Sequence, residues 1–105
     1  SQADVEFALW WLNDQNRASH WDLSYSTDGE LWYDVEPVGI LTPAAADAQP
    51  EWTSVERILT IEMDNLDVGS GDALYLRWTC TDGEGSGSRD EFALDDLSIV
   101  LHPAP

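Results

Sequence analysis

Apolar and polar positions alternate along most of this chain. In VEFALWWL (5–12), Val5, Phe7, Leu9 and Trp11 fall on one side of a period of two, and Glu6, Ala8, Trp10 and Leu12 on the other. HWDLSYS (20–26), LWYDV (31–35), RILTIEM (57–63), ALYLRWTC (73–80) and FALDDLSIVL (92–101) repeat the pattern. Successive side chains of a strand point to opposite faces, so this period predicts β-strands. No segment sustains a helical period, although AAADA within the proline-rich stretch could hold one helical turn. Loop signals separate the strands: NDQNRAS (13–19), a Pro- and Ala-rich connection over 36–53, DNLDVGSGD (64–72) and TDGEGSGSRDE (81–91). Residues 1–4 and 102–105 read as tails. The pattern predicts one all-β domain over 1–105, an antiparallel β-sandwich.

Two stretches can be read to the level of single side chains. Around Asp28-Gly29, a three-residue loop Thr27-Asp28-Gly29 would pair Ser26 with Glu30, with Gly29 left-handed. That register puts Trp21, Leu23, Tyr25, Leu31, Tyr33 and Val35 on one face, and Asp22, Ser24, Trp32 and Asp34 on the other. In the last strand, unbroken alternation puts Ala93, Asp95, Leu97, Ile99 and Leu101 on the core face and Asp96 and Ser98 on the outer one. A buried carboxylate needs a partner, because bare ionic burial costs several kcal/mol. Arg77, Arg89, backbone amides or calcium are the candidates for Asp95.

Composition narrows the role. Twenty-one acids face four basic residues, all arginine, for a formal net charge of −17 over 105 residues. Such a surface repels nucleic acid and anionic membranes and suits calcium, basic partners, neutral ligands or high salt. The single cysteine, Cys80, excludes an intrachain disulfide and reads as a small buried hydrophobe. No leader pattern and no long apolar run are visible, which reads as a mature chain or an excised domain without membrane insertion.

Three sets of residues carry candidate chemistry. Trp10, Trp32, Trp52 and Tyr75 do not all fit inner faces, and exposed aromatic rings stack on sugars. The other reading of these four is that a missing strand or loop covers them. The acidic loop from Asp82 to Asp90 has alternating oxygens and a glycine at the sixth position, like a calcium loop. However, Ala93 stands where the bidentate glutamate belongs, which argues against an EF-hand. A looser calcium site would draw on Asp82, Asp90 and Asp95; the alternative is a solvated loop. No HExxH, no Gly-x-Ser-x-Gly and no phosphate-cradling loop is present, so the chain reads as non-catalytic.

The strings LSYSTDGELWYDV, LYLRW and GSGSRDEFALDDLSI, in that order, resemble jelly-roll β-sandwich modules of secreted multidomain bacterial proteins, of the galactose-binding-like or carbohydrate-binding-module-like kind. The resemblance covers about residues 5–101. It implies a jelly-roll sandwich at the cell surface or outside the cell, a glycan or cell-surface ligand, and a structural calcium. It also implies strands ahead of 5–12 that this chain lacks, or completion of the sandwich by another segment or chain. The competing expectation is a structural or adhesive protein–protein interaction domain with no small ligand.

Overall fold

The computed structural model describes residues 1–63, 68 and 71–102, with only the backbone of Glu36 and Pro37. Of the tail expected at 102–105, His102 belongs to the last strand and 103–105 lie outside the described residues, as does most of the loop expected at 64–72. Six strands form: β1 (Gln2–Leu12), β2 (Arg17–Ser26), β3 (Tyr33–Leu41), β4 (Trp52–Glu62), β5 (Tyr75–Gly85) and β6 (Glu91–His102). There is no helix among the described residues, including the AAADA run. The strands make two antiparallel three-stranded sheets, ordered β4–β1–β6 and β3–β2–β5. Every connection except the β2–β3 hairpin crosses from one sheet to the other.

The alternation read from the sequence builds the core. Ala3, Val5, Phe7 and Leu9 of β1 are buried, and so are Leu23 and Tyr25 of β2, Val35, Val38 and Ile40 of β3, and Leu59 and Ile61 of β4. Each fully buried aliphatic or aromatic side chain contributes roughly 1.5–3 kcal/mol relative to exposure. Aromatic rings lock the two sheets together. Phe7 meets Trp78 edge-on at 5.4 Å and Trp21 meets Phe92 edge-on at 5.0 Å, both across the sandwich. Cys80 lies opposite Trp21 and is half-buried, not fully buried as expected.

Several boundaries differ from the sequence reading. Residues 2–4 are part of β1, with Ala3 fully buried, so 1–4 is no tail. β3 runs on through Pro37 to Leu41, which shortens the connection expected at 36–53 to 42–51. Proline is tolerated there because β3 is an edge strand that bulges: Leu23 pairs with Val35 but Trp21 with Ile40, and Gly39 has φ 52°. β5 continues through Gly85, so only residues 86–90 of the loop expected at 81–91 lie between strands.

The hairpin keeps its predicted faces but not its predicted register. Tyr25 pairs with Tyr33, Ser24 with Asp34 and Leu23 with Val35, two residues away from the Ser26–Glu30 pairing. An even slip preserves parity, so the faces keep their members, but Leu31 falls in the loop and both Leu31 and Tyr33 are exposed. The cause is polar. Asp28 Oδ1 accepts from the Ser26 hydroxyl and from the backbone N–H of Glu30 and Leu31, while Ser26 Oγ accepts from the N–H of Gly29. These bonds stabilise a wider loop in place of a tight turn. The backbone donors hold the Asp28 carboxyl below its usual range.

The largest correction concerns Asp95, which is exposed like Asp96. β6 carries a bulge: Glu6 pairs with Ser98 but Ala8 with Asp95, so Phe7 stands opposite both Asp96 and Leu97. The extra residue resets the alternation. Leu94 now shares the inner face with Leu9, and Ile99 with Val5, whereas Ala93 and Asp95 turn outward with Trp10 and Ala8. Asp96 adopts φ 53°, a left-handed conformation that aspartate tolerates better than most residues. Asp95 Oδ1 accepts the Asp96 N–H at 2.8 Å. Asp96 and Leu97 form the bulge, Asp95 stands beside it opposite Ala8, and neither aspartate is a buried charge.

Candidate functional site

The outer face of the β4–β1–β6 sheet carries a shallow groove of about 440 Å³, lined by Trp10, Trp52, Ala93, Leu94 and Asp95. The register explains its assembly. Trp10 of the central strand lies opposite Ala93 of β6, Ala8 opposite Asp95, and Leu12 opposite Trp52 of β4. Residues directly opposite in an antiparallel pair share a face. Trp52 is 48% exposed and forms a free aromatic wall, whereas Trp10 is half-buried. Ala93 is a small residue beside Trp10, on the side away from Trp52, and Asp95 adds a carboxylate to the lining. The groove is therefore an apolar, aromatic-lined slot with one strong hydrogen-bond acceptor.

Two of the four expected ligand-binding aromatics are thus brought together. The other two belong to the opposite half of the sandwich, Tyr75 at the start of β5 and Trp32 in the loop just before β3. Tyr75 pairs with Ser26 at the hairpin end of β5 and is exposed. Trp32 is half-buried, and the Arg77 guanidinium sits 4.1 Å from the centre of its ring. That cation covers one face of the ring and leaves the other for any stacking partner. Trp32 is a cation–π partner of Arg77. Sequence reasoning missed Leu94 and Ala93 as lining residues, and it assigned Asp95 to a metal. The bulge is what turns Ala93 and Asp95 outward.

The expected calcium ligands do not assemble. Asp82 binds Arg89, with Nε 2.6 Å from Oδ1, and this contact holds its carboxyl below the usual range. Asp95 lies on the outer sheet face. Among the described residues, no three His, Cys, Asp or Glu stand close enough to share a metal ion. Among the described acids, Asp90 alone behaves as the buried carboxylate that was expected at Asp95. It is 5% exposed, and its Oδ1 accepts the Gln15 N–H at 2.9 Å, while its Oδ2 is buried without a hydrogen-bond partner. Burial pushes its pKa up, and the negative charges of Asp14 and Asp47 add to the shift.

A folded-state pKa raised above the unfolded value means that folding favours the protonated form. Stability from Asp90 is then greatest below the unfolded aspartate pKa, about 3.9, and declines as pH rises through the raised folded value. Asp90→Asn keeps an oxygen for Gln15 and removes the charge. We expect its melting temperature at neutral pH to exceed that of the wild type by a few degrees, with no advantage near pH 3. A variant less stable than the wild type at both values would show that the charge is used, not merely tolerated. No family model, curated protein or solved structure matches this chain.

Proposed function

We propose that this chain is a non-catalytic binding module that holds a glycan across the outer face of the β4–β1–β6 sheet. The observation that carries the reading is the groove lined by Trp10 and the half-exposed Trp52, with the Asp95 carboxylate beside them. The apolar face of a pyranose stacks on an indole, and a carboxylate accepts hydrogen bonds from two neighbouring hydroxyls. An openly accessible slot suits an internal or terminal sugar better than an enclosed metabolite site would. The net charge of −17 disfavours uronic or sulfated sugars, so neutral hexoses are the chemistry that fits. A module of this kind belongs outside the cell, where such glycans are displayed.

The test is a screen of neutral oligosaccharides by protein-observed NMR, followed by titration of Trp52→Ala. Because the Trp52 ring is already half-exposed, the fold should survive and the far-ultraviolet spectrum should not change. Loss of the stacking surface should cost about 1–2 kcal/mol of binding, or about five- to thirtyfold in affinity. Unchanged affinity in Trp52→Ala, or shifts confined to Trp32 and Tyr75, would remove the groove from the reading.

A further inference from the structure

The sandwich closes unevenly. On the β3–β4 side, Leu59 and Ile61 are 9% and 3% exposed, and Arg57 reaches across to donate to the Val38 carbonyl at 2.9 Å. An inward-pointing charge on an edge strand is a common protection against further pairing. The β5–β6 side has no such closure. Leu94, Leu97 and Ile99 of β6 belong to the inner row, yet they are 43%, 48% and 44% exposed. Among the described residues, β6 has β1 on one side and no strand on the other, so that edge of its backbone has no strand partner there. Between the sheets nearby, a crevice of about 90 Å³ is lined by Trp21, Trp78, Phe92 and Leu94, among others. The indole N–H groups of both Trp21 and Trp78 are buried without a hydrogen-bond acceptor.

The geometry points to β6 as an acceptor edge for an extended segment of a partner protein, one whose side chains alternate between apolar residues and Lys or Arg. Strand addition would pair the open backbone edge and cover the exposed inner row with the apolar side chains. Charge selects the basic alternate positions. β6 carries Glu91, Asp95 and Asp96 and no Lys or Arg, and its one other ionisable group, His102, is held by Asp4 at 2.8 Å. A second copy of this chain fits poorly. It would bring another −17 charges and set acids against acids along an antiparallel β6–β6 seam.

The probe is a synthetic peptide of about ten residues, a usual strand length, alternating valine and lysine. A second peptide has the same composition with its valines and lysines in separate blocks, and a third carries a central proline. We expect the alternating peptide to bind and to protect β6 amides from hydrogen exchange. The blocked and proline peptides should bind at least about tenfold more weakly. Leu97→Ser with Ile99→Ser should weaken the alternating peptide by about tenfold or more, whereas Ile58→Ser, at an exposed apolar position on β4, should leave it unchanged. Equal binding of all three peptides would reduce the effect to attraction of any polycation and overturn the proposal. So would a dimer of the free protein that dissociates on the Leu97 and Ile99 substitutions, since the edge would then be a self-interface.

Discussion

Phe7→Ala is expected to lower stability by about 3 to 5 kcal/mol, a large part of the roughly 5–15 kcal/mol that a domain of this kind has. Phe7 is 1% exposed and sits on the central strand of its sheet. Its ring is one of two edge-to-face bridges to the opposite sheet, through Trp78. Truncation leaves a cavity between two sheets that cannot easily collapse, because β1 is hydrogen-bonded on both sides. Urea unfolding followed by tryptophan fluorescence measures the loss. Ile58→Ala, on an outward-facing and exposed position, should change stability by less than about 0.5 kcal/mol. A cost below about 1 kcal/mol at Phe7, within the range of an ordinary site, would mean that the two sheets do not pack through this residue.

Gly85→Ala should be comparably severe for a different reason. Gly85 ends β5 opposite Arg17, with φ 102°. A Cβ there would lie 2.0 Å from the Asn16 carbonyl oxygen and 2.9 Å from its carbon, so backbone has to move. The same carbonyl accepts the Ser86 N–H at 2.9 Å, and that bond would be lost with the shift. Backbone strain at such angles costs about 1–3 kcal/mol by itself. With the steric displacement, more than about 3 kcal/mol is expected from unfolding curves. Gly87 is the control. Its φ is 86°, but a Cβ there meets nothing within 4 Å. Gly87→Ala should therefore show the strain alone, about 1–2 kcal/mol. Equal costs at the two positions would show that the close approach to Asn16 contributes nothing.

The glycines illustrate what the sequence left undetermined. TDGEGSGSRDE reads as one solvated loop, yet Gly83 and Gly85 serve the end of a strand. Gly83 lies where a Cβ would come within 3.1 Å of the Ala18 side chain, beside a bulge between the Arg17–Gly85 and Ser19–Asp82 pairs. A glycine that loosens a loop and a glycine that admits a close strand look alike in sequence. Asp90 and Asp95 make the same point for acids. Alternation carried unbroken through Asp96 would bury Asp95, and the bulge prevents it. Among the described acids the buried one is Asp90, at the mouth of β6 against the Gln15 amide.

Alternation along each strand is a property of the chain itself, and it was legible. Val5, Phe7 and Leu9 against Trp10, and Leu23 and Tyr25 against Ser24, turned to the faces that their period of two required, because neighbouring side chains must point apart. The all-β architecture and the acidic surface were equally legible. Where strands meet is a property of pairs. The two-residue shift of the β2–β3 hairpin came from the Ser26 and Asp28 side chains capping a wider loop. The bulge at Asp96 came from Phe7 being opposed by two residues of β6. Only the tertiary structure could join Trp10, Trp52 and Asp95 from three strands into one groove, and leave Leu97 and Ile99 uncovered at an unpaired edge. Register, bulges and edges depend on which strand lies alongside, and no local pattern in one strand encodes its neighbour.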